Sequence, residues 1–412
     1  MKRVFALLIC AVLLLMPIEA ASADELTIVH ATDMHYLSPA LTDYGEAFRY
    51  VTENADGKMT EYTPQIMAAF VDEMLALRPD AVVLSGDLTL NGAPESHKEL
   101  AELLIPLKEA GINVLILPGN HDSGSAAYRF SGEEVLPVQG SRDEDLALIY
   151  EQFGPEDALS RDSVSLSYIA EISDKLWLFM LDVNANGTFG KVKDETFLWA
   201  EEQLEAAKEK GVTVISVTHQ PSIIHNPLFN FGYVVNNSAK LLELFSKYGV
   251  EVNLSGHLHM QHIAKNGTLT DIAASSLAVS PHQYGILRVS EGKAMDYEMK
   301  ALDISQWAER TGQTDEKLLN FAEYSAEFFD GNTRRQTEEM FSALDISAEE
   351  KEQMTEFAVR LNAEYFSGAR TLGADDPAWE LWQKHLPESF FTTYIKSILA
   401  DGTAAMNYAA FE

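Results

Sequence analysis

Five short runs of apolar and β-branched residues each end on a cluster of Gly, Asp, Asn or His, and this pattern narrows the possible folds most. The run Leu26-Thr27-Ile28-Val29-His30-Ala31-Thr32 leads into Asp33-Met34-His35, and Ala81-Val82-Val83-Leu84-Ser85 leads into Gly86-Asp87. Asn113-Val114-Leu115-Ile116-Leu117 precedes Gly119-Asn120-His121-Asp122. Thr213 to Thr218 ends on His219, and Val252-Asn253-Leu254-Ser255 on Gly256-His257-Leu258-His259. Runs with no polar alternation mark strands buried on both faces, which need layers packed against each side. The intervening segments Pro64 to Leu77, Glu95 to Ala110 and Glu195 to Lys210 predict helices. In the first, Ile66, Met67, Phe70, Met74 and Leu77 share one face. Ser163 to Ile172 and Lys175 to Asp182 flank Ser173-Asp174 and predict a hairpin. Residues 24–300 are thus expected to form a layered α/β domain with a mainly parallel core and antiparallel additions.

From about Ala301 the pattern turns helical, and residues 301–412 are expected to form a small all-α C-terminal domain. Ser347-Ala348-Glu349-Glu350 is a capping box; Met354, Phe357, Ala358, Leu361 and Tyr365 continue at helical spacing, and Gly368 ends the helix. Asp315 to Phe329, Pro377 to His385 and Glu388 to Leu399 predict further helices. Trp307, Phe328, Phe329, Trp379, Trp382, Phe390 and Phe391 supply its core, and a partner surface is the other reading of these rings. At the other end, residues 1–23 have the form of a signal peptide: Lys2 and Arg3, an apolar run from Val4 to Met16, then Ala21-Ser22-Ala23. That run is too short for a permanent span. Cleavage after Ala23 would place the protein outside the cytoplasm, secreted or in the cell envelope. It would also remove Cys10, the single cysteine, leaving neither a disulfide nor a thiolate ligand.

The clusters suit metal chemistry. In open α/β sheets ligands gather at the carboxyl ends of strands, so Asp33, His35, Asp87, Asn120, His121, His219, His257 and His259 can converge. Carboxylate oxygens, neutral imidazole nitrogens and one amide oxygen form a mixed set that admits iron, manganese or zinc. Charge points the same way. With 30 Lys+Arg against 63 Asp+Glu, a formal charge of -33, the chain repels polyanions, which excludes a basic nucleic-acid surface. A phosphate-bearing substrate must be held by something local and positive.

The ordered set Asp-x-His, Gly-Asp, Gly-Asn-His-Asp, a lone His and Gly-His-x-His resembles the calcineurin-like metallophosphoesterase superfamily over Asp33 to His259. The resemblance implies an α/β/β/α sandwich with two metal ions. Asp33, His35 and His259 would hold one ion, Asn120, His219 and His257 the other, and Asp87 would bridge them. His121 would act on the phosphoryl group as the catalytic acid. A water shared by two ions about 3.5–4 Å apart becomes hydroxide near neutral pH and attacks phosphorus in line. The stretch Leu84-Ser-Gly-Asp-Leu-Thr-Leu-Asn-Gly92, with the helical C-terminal domain, looks like class III cyclic nucleotide phosphodiesterases. A small phosphate ester is then the expected partner, a cyclic nucleotide the leading substrate. A phosphomonoesterase (nucleotidase or Ser/Thr protein phosphatase) and a non-catalytic extracellular scaffold stand as alternatives. A cationic side chain beside the site would favour the monoesterase. The long Tyr36 to Thr63 connection, with five tyrosines or phenylalanines, either shapes the site or packs onto the domain. His225, His262 and His282 read as structural histidines near the motifs, and Asp182 and Asn184 as turn caps.

Overall fold

Strands with no polar face have to be covered on both sides, and the chain does this by stacking two sheets between two helical layers. The computed structural model describes residues 25–124, 126–290, 294–342 and 344–411; residues 1–23, expected to be a signal peptide, and Cys10 among them lie outside the described residues. In the first sheet β1 (Leu26–Ala31), β2 (Ala81–Ser85) and β3 (Asn113–Leu117) run parallel. β13 (Gln283–Val289), β14 (Met295–Ala301) and β15 (Tyr408–Phe411) extend it antiparallel, in the order β15-β14-β13-β1-β2-β3. The second sheet has the order β11-β12-β10-β9-β8-β7-β6. Its parallel centre is β8 (Leu176–Met180), β9 (Thr213–Val217), β10 (Val252–Ser255) and β12 (Leu269–Ala273), flanked by antiparallel β6 (Ser160–Arg161), β7 (Tyr168–Ser173) and β11 (His262–Asn266). A separate hairpin joins β4 (Tyr128–Ser131) and β5 (Glu134–Pro137).

Alternate residues of each strand serve different cores. Ile28, Val83 and Leu115 of the first sheet meet Leu178, Ile215, Val217 and Leu254 of the second in the middle of the sandwich. Val29, Val82, Leu84 and Ile116 face outward onto Phe70 of α2 (Thr63–Leu77) and Leu100 and Leu104 of α3 (Pro94–Glu109). The outer face of the second sheet, with Trp177 and Phe179, is covered by Phe197 and Leu204 of α5 (Asp194–Lys210) and Leu241 and Phe245 of α6 (Ser238–Tyr248). This is the expected four-layer α/β/β/α arrangement. In the Tyr36 to Thr63 connection, α1 (Glu46–Glu53) packs Phe48 against Phe130 of β4, ring centroids 5.2 Å apart. α4 (Asp143–Ile149) adds Leu146 to the α2–α3 core.

Local chemistry moved two expected boundaries. The hairpin forms, but β7 starts only at Tyr168. Asp162 gathers Ser165 Oγ at 2.5 Å and Thr196 Oγ1 at 2.6 Å, so the preceding residues turn instead of extending. The expected 315–329 helix divides into α8 (Glu316–Leu319) and α9 (Phe321–Phe341), with Asn320 at φ -125°, ψ 37° between them.

The residues after 300 do not pack as one unit. Ile304 and Ala308 of α7 (Ile304–Arg310), Leu318 of α8 and Phe321 join the α2–α3 core, and β15 pairs with β14. The separate helical core comprises parts of α9, α10 (Ala348–Ser367), α11 (Pro377–His385) and α12 (Phe390–Ala400), centred on fully buried Trp382, whose Nε1 donates to the Met354 carbonyl at 3.0 Å. α10 opens on the capping box, Ser347 accepting from Glu350 N at 3.1 Å, and closes at left-handed Gly368. Among the described residues no helix is long and apolar enough to cross a membrane.

Candidate metal centre

Parallel pairing brings the carboxyl ends of β1, β2 and β3 to the same end of the sandwich as those of β9 and β10. Each chain segment then turns within two or three residues. Asp33, His35, Asp87, His257 and His259 all take left-handed backbone, φ 43° to 69°. That conformation costs a non-glycine residue about 1–2 kcal/mol, and its concentration at one place is the usual mark of a functional site. Cross-links hold the turns: Asp33 N donates to Gly86 O at 3.0 Å, His35 N to Asp87 O at 2.9 Å, and Gly256 N to His219 O at 2.8 Å. Glycine is needed at two of them. A Cβ on Gly119 would strike Asp87, and one on Gly256 would strike Thr32 and Asp33.

The side chains fall into two groups sharing one member. Ligand atoms of Asp33, His35, Asp87 and His259 lie within 4.8 Å of one another, as do those of Asp87, His219 and His257. In the first group His259 Nε2 stands 3.0 Å from His35 Nε2 and 3.3 Å from Asp33 Oδ1. In the second, His219 Nε2 lies 3.2 Å from Asp87 Oδ1 and 3.2 Å from Asn120 Oδ1. Asp87 turns its other oxygen toward His35 Nε2, 3.9 Å away. All seven ligand residues expected from the sequence are therefore brought together, with Asp87 between the groups.

The donor set fits cations. Asp33 Oδ2 accepts from Thr32 Oγ1 and His257 N, both at 2.8 Å, while buried Oδ1 is faced by the imidazoles of His259 at 3.3 Å and His35 at 3.9 Å. A buried carboxylate oxygen is costly unless positive charge faces it. Burial alone would raise the Asp33 and Asp87 carboxyls; the imidazoles of His259 and His219 outweigh it and hold both well below the usual range. Burial lowers His35, and lowers His257 to about 4, which keeps both rings neutral and able to ligate. His219 and His259 go the other way, to about 9, because Asp87 and Asp33 outweigh their burial. An ion bound there would replace the proton each carries.

Orienting partners fix the rings. His219 Nδ1 donates to the Ser85 carbonyl at 2.9 Å, His259 Nδ1 to Asp56 Oδ2 at 3.0 Å, and His257 Nε2 to the Gly232 carbonyl at 3.0 Å. The last bond leaves Nδ1 as the His257 atom facing Asp87 and His219. His121 Nδ1 donates to the Leu90 carbonyl at 2.8 Å, and its backbone N–H to Asp87 Oδ1 at 2.9 Å. Its Nε2 is thereby directed to the site, 3.9 Å from Asp87 Oδ2.

Residues 26–261, more than half of the chain, match the family model for calcineurin-like phosphoesterase. The chain belongs to this family. Residues 303–404 match a second model, the C-terminal domain of cyclic nucleotide phosphodiesterase. A relative named glycerophosphodiester phosphodiesterase GpdQ, from Enterobacter lignolyticus, is 25% identical over 62% of this chain and 76% of its own. A cAMP/cGMP dual specificity phosphodiesterase of Mycobacterium tuberculosis is 23% identical over 61% of this chain and 66% of its own. The solved structure of a dimetal phosphatase from Danio rerio aligns with a TM-score of 0.48 at 13% identity, covering 67% of this chain and 96% of that one. As a calcineurin-like phosphoesterase the protein is a metal-dependent phosphoric ester hydrolase. The family works with two metal ions, and this metallophosphoesterase carries a ligand cluster for each.

Other polar residues stand around the centre without joining either cluster. Asp122 does not face His121; it accepts from Leu88 N, Thr89 N and Gly119 N and ties two metal loops together. Asp182 caps the turn to Asn184, whose side chain bonds Gln220, and Gln220 reaches Asn120 Oδ1 at 3.3 Å. His225 and His262 lie outside both clusters and face each other at 3.0 Å, between Asp271 and Asp401. His282 packs on Phe321. Asp56 and Lys58, in the long connection after β1, carried no sequence signal, since neither belongs to a motif.

Proposed function

We propose that the protein is an exported phosphodiesterase whose substrate is a cyclic nucleotide. One observation carries the reading: a metallophosphoesterase domain is followed in the same chain by a match to the C-terminal domain of cyclic nucleotide phosphodiesterase. The relative named for cAMP and cGMP supports the nucleotide, and the glycerophosphodiester relative supports a diester over a monoester.

Asp33, His35 and His259 would hold one ion and Asn120, His219 and His257 the other, with Asp87 shared. Bound there, the ions supply charge that polarises phosphoryl oxygens and lowers the pKa of water. The remaining work belongs to His121. Leu90 holds the ring through Nδ1 and Asp87 holds the backbone N–H, so Nε2 is the atom that meets the departing oxygen and, from the doubly protonated ring, hands it a proton. Beside the ring lies a cavity of about 270 Å³, lined among others by Val51, Lys58, Leu90 and Tyr128. In a cyclic nucleotide the departing oxygen belongs to the ribose, so the ribose would sit on this side. A monoesterase would need a cation for the extra phosphate charge. Lys58 lines the same cavity, but its ammonium is already paired with Asp56 at 2.9 Å.

The test is hydrolysis by the manganese-loaded protein of an aryl phosphate diester, the matching monoester, 3′,5′- and 2′,3′-cyclic AMP and glycerophosphocholine. Turnover of a cyclic nucleotide, lost in Asp87→Ala, supports the proposal. Turnover of glycerophosphocholine without cyclic nucleotides, or of the monoester alone, sinks it. Export is tested separately by sequencing the N-terminus of the protein recovered outside the cytoplasm. It should begin at Asp24, and a cytoplasmic chain retaining residues 1–23 would refute it.

A further inference from the structure

The metal loops are not supported by the α/β sandwich alone. In the loop after β10, Leu258 and Met260 flank His259, and both side chains enter the helical core, where Met260 is fully buried among Phe357, Leu361 and Tyr365. The next residue, buried Gln261, donates its backbone N–H to the Phe366 carbonyl at 3.0 Å and Nε2 to the Met406 carbonyl at 2.7 Å. Gly368 at the end of α10 leaves the space that Gln261 fills, since a Cβ there would collide with it.

A second loop is held in the same way. Asn226 is fully buried, and its Nδ2 donates to Tyr365 Oη at 2.8 Å on α10 and to Ser397 Oγ at 3.0 Å on α12. Its Oδ1 accepts from Leu228 N at 2.9 Å, which shapes the turn that follows. Phe229 then packs on the helical core beside Tyr394. Three residues on, the Gly232 carbonyl takes the Nε2 proton of His257, and the Tyr233 ring lies 5.8 Å from that imidazole.

We infer that the helical domain is a working part of the metal centre, positioning His257 through Tyr365, Ser397, Asn226 and Gly232. The line of contacts runs from two helices, through one buried amide, to the carbonyl that fixes the ring of a metal-binding histidine. A domain that only stabilised the fold would have no need to hold one loop beside His259 and the other at the carbonyl that orients His257. Tyr365 and Ser397 are positioning residues; neither reaches the metal ligands. The inference rests on the seven residues binding two ions and is independent of the identity of the ester.

The test is titration of the metal-free full chain with manganese, followed by calorimetry and metal analysis, beside thermal melting. The wild-type chain should bind two ions, and His257→Ala identifies the step that depends on His257. Tyr365→Phe/Ser397→Ala should weaken that step by about 10–100-fold, the usual effect of removing a ligand's orienting support. The other step should stay unchanged. Tyr365→Phe alone removes one oxygen and no bulk, and should show a smaller effect of the same kind. Thr355→Val breaks a bond of similar burial between α10 and α9, Thr355 Oγ1 to Thr337 Oγ1 at 3.1 Å; it should lower the melting temperature and leave both steps alone. Equal weakening by Thr355→Val, or a lower melting temperature with both steps intact in the Tyr365→Phe/Ser397→Ala chain, overturns the inference. A wild-type chain that binds fewer than two ions overturns the metal reading itself, and this inference with it.

Discussion

Gly119→Ala isolates what the shared carboxylate contributes. A Cβ at position 119 would stand 2.8 Å from His219 Nε2 and closer still to the backbone nitrogen and Oδ1 of Asp87. Unstrained contacts begin at about 3.5 Å, so Asp87 has to retreat by about 1 Å. Gly119 is not among the left-handed positions, so its own backbone tolerates alanine and the damage falls on Asp87, backbone nitrogen and carboxylate together. Because Asp87 belongs to both clusters, one methyl group disturbs both ions together. A displacement of about 1 Å costs on the order of 100-fold in rate, equivalent to about 2.7 kcal/mol of transition-state stabilisation. The assay is kcat/KM on the diester with the metal titration run in parallel, where both binding steps should weaken. Gly111→Ala is the control. Its φ of 81° is strained for alanine, yet a Cβ there meets nothing within 4 Å. It should cost about 1–2 kcal/mol of stability and leave activity alone. If Gly119→Ala keeps kcat/KM within about threefold of wild type while binding both ions, the bridging role of Asp87 is wrong.

His121→Ala should lower kcat by about 10²–10⁴-fold with both ions still bound. The loss should shrink on esters whose departing alcohol is strongly acidic, and a loss independent of the leaving group would remove His121 from the proton-donor role. Asp56→Asn weakens the acceptor for His259 Nδ1 and should reduce affinity for the Asp33, His35, His259 ion about 10–100-fold, measured by the same titration; unchanged affinity would leave Asp56 without a positioning role. Burial pushes the imidazoles of His30, His97 and His282 down to about 4. The unfolded chain takes up these protons below about 6.5 while the folded chain refuses them. Their contribution to stability is therefore complete above pH 6.5 and is lost as pH falls toward 4, by about 1.4 kcal/mol per pH unit for each group. Urea unfolding of metal-free protein across that range should show the decline, with a shallower slope in His97→Gln; equal slopes would contradict it.

The centre was legible because metal ligands must lie at strand ends, where a few consecutive letters carry the chemistry. Asp33, His35, Asp87, Asn120, His219, His257 and His259 each sit within four residues of the end of a β-rich run. The layers were legible through uninterrupted apolar strands and helical periodicity. What supports the ligands was not. The orienting groups of His121, His219 and His257 are the carbonyls of Leu90, Ser85 and Gly232, and a carbonyl has no letter of its own. Asp56 comes from a connection with no motif, and its role depends on how α1 folds back. Long-range pairing was equally hidden. Nothing in the Gln283–Val289 run says that it lies beside β1 instead of β12. The break at Asn320 and the late start of β7 came from single side chains competing with regular structure.

β14 and β15 are adjacent antiparallel strands, Met295 opposite Phe411 and Glu298 opposite Tyr408. In effect they are the two arms of one hairpin, and the stretch between them, which includes the whole helical domain, occupies the place of its turn. Closing so long a connection adds little entropy over a shorter one, because the cost grows only with the logarithm of length. The domain is thus an insertion with two attachments, unable to swing like a tail on a single tether. Rejoining the arms through a two-residue turn would preserve the strand order of the sheet, but would also take Ile304, Ala308, Leu318 and Phe321 out of the α2–α3 core. The same cut would remove the partners of Asn226 and Gln261, so one insertion is tied both to the core of the sandwich and to the loops beside the metal ligands.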